Sequence, residues 1–339
     1  MEKNNVGSFF RIGETLPSSY YAKSITGKWI MQSNHAGEKV YFPNIYRRPQ
    51  KRLKVAKRAT NSVSHEMLGL KIVGVPQNLI VEAREPQPRL QELLKKGPTD
   101  TLLSAMERVL GIATEKTGVS TQSFGVFGSM LHGFHHPKYS DIDFTIYGKA
   151  ENQKIRQTMA ELYKDSDSGF KNEFESPDVM KGKDWRFKNF DVKDFVWHQR
   201  RKMIYGLYDD RKHSGRIIKA EFEPVKAWSE IQSEYDPQAW IKQLGWTKIK
   251  AKVTADDDGP FIPSVYRIEP LEVLSGPREA LEAVRIFSYM EEFRQQAQRD
   301  ESIIVEGNLE ETQTPKNSPR QITLTYCPRY YEQVLKVLH

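Results

Sequence analysis

The stretch Gly125-Val126-Phe127-Gly128-Ser129, followed by Ser140-Asp141-Ile142-Asp143-Phe144, decides how the rest of the chain is read. Phe124, Val126 and Phe127 predict a short buried strand, which Gly128-Ser129 breaks. Eleven residues separate Ser129 from Asp141. Asp141 and Asp143 sit two apart in a second predicted strand that also carries Ile142, Phe144 and Ile146, so both carboxylates project from one face. Two carboxylates at that spacing can hold a divalent cation between them. A glycine-serine turn nearby offers backbone N–H groups and a hydroxyl to phosphate oxygens. A triphosphate with Mg²⁺ needs both parts together.

At 339 residues the chain is long enough for two or three domains. Its formal charge of +7, from 51 basic against 44 acidic residues, favours polyanion partners such as RNA, DNA or nucleotide phosphates without demanding them. Cys327 is the only cysteine, which excludes an intramolecular disulfide and suits a reducing cytosol. Met-Glu-Lys-Asn-Asn at the start has no apolar signal region behind it, and no apolar run approaches the ~18 residues of a membrane span, so a cytoplasmic protein is expected. A P-loop, a dinucleotide fingerprint and a Gly-x-Ser-x-Gly elbow are all missing, which removes the usual rival chemistries.

Three parts are expected. Residues 1–95 read as a β-rich module, with apolar runs such as Trp29-Ile30-Met31, Val40-Tyr41-Phe42 and Leu70–Val75 punctuated by Gly, Asn and Pro. Within it, residues 47–58 hold seven basic residues in twelve and no acid; they can track a phosphate backbone or form a solvated loop. Residues 96–258 form the core. Asp100 or Thr99 caps a helix with Leu102, Leu103, Met106, Val109, Leu110 and Ala113 on one face, closed by Gly118. A second helix is expected at 151–164, and a strand at 215–225 in which Pro224 demands an end or an edge. Asp256-Asp257-Asp258-Gly259-Pro260 reads as a solvated linker. Residues 259–339 are expected to be a small α+β domain. Strands are predicted near 265–268, 303–309 and 321–326, with a helix across Leu281, Val284, Phe287, Met290 and Phe293 and a last helix at 330–338.

The run Gly-Ser-Met-Leu-His-Gly-Phe-His-His-Pro-Lys-Tyr-Ser-Asp-Ile-Asp-Phe-Thr-Ile-Tyr-Gly, within residues 125–148, resembles the active-site signature of the DNA polymerase β superfamily of nucleotidyltransferases. It looks most like an uncharacterised archaeal branch of predicted nucleotidyltransferases of similar length. The resemblance implies an α+β fold with a polymerase-β-like core, a mixed sheet with helices, flanked by the N- and C-terminal modules. It implies Mg²⁺-dependent transfer of a nucleoside monophosphate from an NTP to a hydroxyl, with release of pyrophosphate and a two-ion metal site. Carried over residue by residue, Asp141 and Asp143 are metal ligands, Gly128 allows close backbone approach, and Ser129 contacts the β/γ-phosphates. The third carboxylate of the superfamily falls in the strand predicted at 215–225. Glu221 and Glu223 project to the same face there, and Glu221, inside the strand, is preferred. The superfamily more often has Asp at that position.

Several residues keep two readings. Ser140 caps the strand entry or touches nucleotide. Arg216, with Arg200, Arg201, Lys202 and Arg211, offsets triphosphate or RNA charge along 200–216, or belongs to a solvated basic face. His132, His135 and His136 lie in the spacer without a fourth ligand at matching spacing, so a loop beside the phosphate site is expected rather than zinc. The acceptor is an RNA end, a protein side chain or a small molecule. The rival from another class is a non-catalytic RNA-binding protein on a degenerate nucleotidyltransferase core.

Overall fold

The computed structural model describes residues 21–24, 29–35, 38–43, 61–65 and 70–76, and from residue 80 onward all but 177, 232–239, 314–316, 326 and 339. The basic run 47–58 lies outside the described residues. The architecture is mixed α and β, in two compact units. One comprises Arg84–Trp185 and Val192–Glu230; the other comprises Met1–Ala83, Arg186–Asp191 and Ile231–His339. Among the described residues no helix is long and apolar enough to cross a membrane.

The first strands are β1 (Tyr21–Ser24), β2 (Trp29–His35), β3 (Glu38–Pro43), β4 (Asn61–His65), β5 (Leu70–Pro76) and β6 (Ile80–Arg84). They form one sheet in the order β4-β5-β3-β2-β1-β6. The apolar runs at 29–31, 40–42 and 70–75 lie in β2, β3 and β5.

The central unit opens with α1 (Pro86–Lys96) and α2 (Thr101–Thr117). Pro86 stands at the first helical position, where its missing N–H and fixed φ are no handicap. Asp100 caps α2: its Oδ1 accepts from the N–H groups of Leu102 and Leu103, both at 2.9 Å. Such a cap contributes about 1 kcal/mol. Gly118 ends the helix in the left-handed conformation. There follow β7 (Phe124–Val126), α3 (Gly128–His132), β8 (Ile142–Tyr147), α4 (Lys149–Leu162), β9 (Phe170–Asn172), α5 (Val192–Arg201), β10 (Tyr205–Asp209), α6 (Arg211–Ser214) and β11 (Ile217–Val225).

The sheet order is β7-β8-β11-β10-β9, with β8 and β11 parallel and the other pairings antiparallel. One face is apolar. Phe124, Val126, Ile142, Phe144, Ile146, Ile218, Ala220 and Phe222 are fully buried there, in one core with Leu102, Met106 and Val109 of α2 and Ile155 and Met159 of α4. The Phe144 and Phe222 rings stack at 5.7 Å across the β8–β11 pair. Alternation then sends Asp143 and Thr145 of β8, and Lys219, Glu221 and Glu223 of β11, to the opposite face. Pro224 lies inside β11, in the middle of the sheet. It is tolerated because β10 pairs with β11 only from Ile217 to Glu221, so at Pro224 the strand is locally an edge.

The C-terminal part corrects three expectations. From Trp240 to Val337 the described residues contain strands and short 3₁₀ turns: β12 (Trp240–Asp258), β13 (Ser264–Ser275), β14 (Ala283–Ser288), β15 (Ser302–Gln313), β16 (Arg320–Leu324) and β17 (Val334–Val337). The helix expected across 281–293 is a 3₁₀ turn, β14 and another 3₁₀ turn. The helix expected at 330–338 is a 3₁₀ turn and β17, because Val334, Leu335 and Val337 are buried through pairing with β15. The acidic run 256–258 is no linker but the end of β12. That strand starts at Trp240 and alternates buried Ile249, Ala251 and Val253 with more exposed Lys248, Lys250 and Lys252. The pairing runs β12-β13-β14-β16-β15 and closes from β15 back to β12, with β14 and β16 parallel and β17 added to β15. This is the connectivity of the five-stranded Greek-key barrel that many oligonucleotide- and oligosaccharide-binding modules use.

Candidate active site

The turn from β7 into α3 is built around Asp143. The Phe127 N–H donates to the Asp143 carbonyl at 2.8 Å, which draws the end of β7 onto β8. Gly128 then adopts φ +56°, and a Cβ placed on it would fall on Asp143 Oδ2. Glycine therefore meets two demands here, the left-handed backbone and the space for the carboxylate. Ser129 follows, partly buried, its carbonyl accepting from the Phe134 N–H at 3.1 Å. Gly125, three residues earlier in β7, is demanded by space alone: a Cβ there would meet Pro86 Cβ at 2.5 Å and Thr145 Oγ1 at 2.6 Å, so α1 packs directly on the β7 backbone.

The spacer returns to β8 through a braced loop. The Ser140 hydroxyl accepts from the His136 N–H, and the Ser140 N–H donates to the His136 carbonyl, both at 2.9 Å. Arg216, just ahead of β11, donates to the carbonyls of Pro137 and Ser140 at 2.9 Å each, and lies 3.8 Å from Asp141 Oδ1. Ser140 and Arg216 thus hold the loop that delivers Asp141. His135 pairs its Nε2 with Asp100 Oδ2 at 3.0 Å, on the same carboxylate that caps α2. His136 Nδ1 accepts from the Lys138 N–H.

β11 brings two further carboxylates to the same face. In the parallel register Glu221 stands opposite Asp143, and Glu223 opposite Thr145. Neighbouring strands lie roughly 4.8 Å apart, so Asp143 and Glu221 are adjacent on the polar face. Lys219, two residues before Glu221, places its Nζ 2.5 Å from Glu221 Oε1 and 3.1 Å from Glu173 Oε2.

The electrostatics follow from this crowding. Burial pushes the Asp143 carboxyl well above the usual carboxylate range, and Glu221, Asp141 and Glu223 add to the shift while Lys219 opposes it. Asp141 is raised by burial as well, with Lys219 and Arg216 pulling the other way. Burial works against the charged form of Lys219, but Glu221 and Glu173 outweigh it and its pKa is raised. A face of packed carboxylates that holds on to protons is chemically suited to a hard cation with oxygen ligands. Among the described residues no three His, Cys, Asp or Glu side chains converge as a ready-made metal cage. Magnesium seldom uses such a cage: one or two carboxylates and the substrate phosphates serve it instead. Asp143 and Glu221, side by side across the β8–β11 pair, are carboxylates suited to that mode.

The basic residues of 200–216 do not form one stripe. Lys202 is fully buried, Arg201 lies over the Trp197 ring at 4.3 Å, Arg200 faces Glu175 at 3.4 Å and Arg211 pairs with Asp209 at 2.5 Å. Lys219 and Glu173 escaped the reading of the sequence. Lys219 carries a usable signal, since Lys219, Glu221 and Glu223 alternate along one strand face; Glu173 has none.

Residues 106–198 match the family model of the nucleotidyltransferase domain. Over 207 residues the chain is 30% identical to the uncharacterised protein MJ1086 of Methanocaldococcus jannaschii, a match that spans 60% of this chain and 55% of that protein. No solved structure matches the chain. The strand, the glycine turn, the spacer and the aspartate pair all fall inside the matched segment, and residues 106–198 are a nucleotidyltransferase domain of the polymerase-β-like kind.

Proposed function

We propose that the protein is a Mg²⁺-dependent nucleotidyltransferase that moves a nucleoside monophosphate from an NTP to a hydroxyl acceptor. The observation that carries this reading is the register of Glu221 beside Asp143, under a Gly128 turn that leaves space for the carboxylate. The acceptor oxygen attacks the α-phosphorus, the bond from that phosphorus to the bridging oxygen breaks, and pyrophosphate leaves with the electron pair. The acceptor's proton passes to a carboxylate of the site or to water. A divalent cation bound there would neutralise the phosphates and the leaving group. The chain's own part is positioning. Asp141, Asp143 and Glu221 would hold the cation, Ser129 and the backbone at Gly128 would meet the β/γ-phosphates, and Arg216 and Ser140 brace the spacer beside them.

An RNA end is the acceptor we favour. The Greek-key barrel of β12–β16 supports that choice, because this connectivity recurs in modules that hold single-stranded nucleic acid. The second reading is a non-catalytic RNA-binding protein on the same core. Lys219 favours it, since an ammonium on Glu221 already neutralises one of the three carboxylates.

Binding of the four NTPs, with and without Mg²⁺, to wild type and to Asp141→Ala/Asp143→Ala separates the two. Mg²⁺-dependent binding lost in the variant supports transfer, and the preferred NTP is then offered with RNA ends to look for pyrophosphate release. RNA binding indifferent to Mg²⁺, with no NTP bound by folded protein, supports the second reading.

A further inference from the structure

Lys219 and Glu221 lie two apart on β11 and share its polar face. The Lys219 side chain is 29% exposed and its Nζ touches two carboxylates, Glu221 at 2.5 Å and Glu173 at 3.1 Å. Glu173 belongs to a 3₁₀ turn directly after β9, with its side chain 13% exposed. Its Oε1 lies 3.9 Å from Lys183 Nζ. Tyr205, the cross-strand neighbour of Glu221, sets its ring 5.7 Å from Lys219 Nζ. The ammonium therefore has two anchors: one in register with Asp143, the other on a separate turn.

We propose that Lys219 is the resident counter-cation of Glu221, and that it exchanges with the divalent cation. Before loading, its charge relieves the repulsion among Asp141, Asp143, Glu221 and Glu223. When a cation binds Asp143 and Glu221, Lys219 releases Glu221 and stays on Glu173. It keeps its proton throughout, and no covalent bond changes. Lys219 and Glu173 are then positioning residues that set how tightly the site takes its metal. The inference rests on the metal-dependent reading above, with Glu221 as a ligand.

The test is Mn²⁺ binding without nucleotide, followed by electron paramagnetic resonance, in wild type, Asp143→Asn, Lys219→Met, Lys219→Gln, Lys219→Arg and Glu173→Gln. Removing the competing charge makes Lys219→Met and Lys219→Gln bind Mn²⁺ roughly tenfold tighter, while Lys219→Arg stays near wild type. Glu173→Gln weakens binding several-fold, but by less than about twofold when combined with Lys219→Met, because it acts through the lysine. In EDTA the Lys219→Met and Lys219→Gln proteins melt below wild type, and saturating Mn²⁺ removes the difference. A merely structural lysine gives the opposite sign, weaker binding on removal. Folded Lys219→Gln that binds Mn²⁺ no tighter than wild type overturns the exchange and leaves the site reading standing. Wild type without Asp143-dependent Mn²⁺ binding overturns both.

Discussion

Gly128 turns at φ +56° directly against Asp143, and its missing Cβ is the space that the Asp143 carboxylate fills. Gly128→Ala therefore acts twice, through the left-handed backbone and through the displaced carboxylate. The strain alone costs on the order of 1–2 kcal/mol. The expected result is a protein that folds, unfolds at lower urea, and has lost Mg²⁺-dependent NTP binding. Wild-type binding in Gly128→Ala would remove the turn from the site.

Asp143 carries a pH signature. Its folded-state pKa is raised, so the folded protein holds its proton more tightly than the unfolded chain does. The stabilisation is full below the unfolded value near 3.8 and is lost as pH rises through the folded one. At neutral pH without a cation the ionised carboxylate is a burden. Asp143→Asn is expected to raise the melting temperature at pH 7.5 in EDTA, with the gain vanishing towards pH 4. Melting curves across that range check it, and saturating Mg²⁺ should shrink the gain by stabilising wild type alone.

Arg216 bridges two parts of the site through the carbonyls of Pro137 and Ser140. Arg216→Ala removes two charge-assisted hydrogen bonds, worth about 1.5–3 kcal/mol each at most in a partly buried setting. The loop presenting Asp141 then loosens. Expected are at least tenfold weaker NTP binding and a fall of about 3 kcal/mol in stability, the lower end of the two bonds together, measured by titration and urea unfolding. Arg216→Lys should not restore binding, since one ammonium cannot reproduce the planar fork.

Asp210 is fully buried, and its two oxygens meet Arg108 of α2 at 2.8 and 2.9 Å. Its N–H donates to the Arg216 carbonyl at 3.1 Å, which ties the pair to the start of β11. Asp210→Ala is expected to cost ~3 kcal/mol, because the partly buried Arg108 is left without its partner. Urea unfolding gives the number. Asp210→Ala/Arg108→Met should recover part of the loss, whereas purely additive costs would show the pair to be incidental.

Short-range pattern was enough for the central motif. Two apolar strands and a glycine at the break place Asp143 on β8 without any tertiary knowledge, because a strand's side-chain period is local, whereas Asp141, expected in the same strand, stands one residue ahead of it. The same holds for α2, where Asp100, the apolar stripe and Gly118 are each local signals. Pattern was misleading at the C-terminus. Tyr330–Leu338 has a helical look, yet Val334, Leu335 and Val337 pair with β15, some thirty residues earlier in the chain. Strand preference there is decided by the partner surface and not by the segment itself.

Long-range registry decided the rest. Within residues 215–225 only its place inside the strand favours Glu221 over Glu223; the parallel β8–β11 pairing sets it opposite Asp143. Glu173 reaches Lys219 only because β9, β10 and β11 are neighbours in the sheet. By itself the sequence determined the chemistry on offer, a glycine turn and paired carboxylates suited to a phosphate and its cation, since residue type and spacing along one strand suffice for that. Tertiary structure alone decided which distant charges meet them, because strand order and register join residues that no local spacing connects.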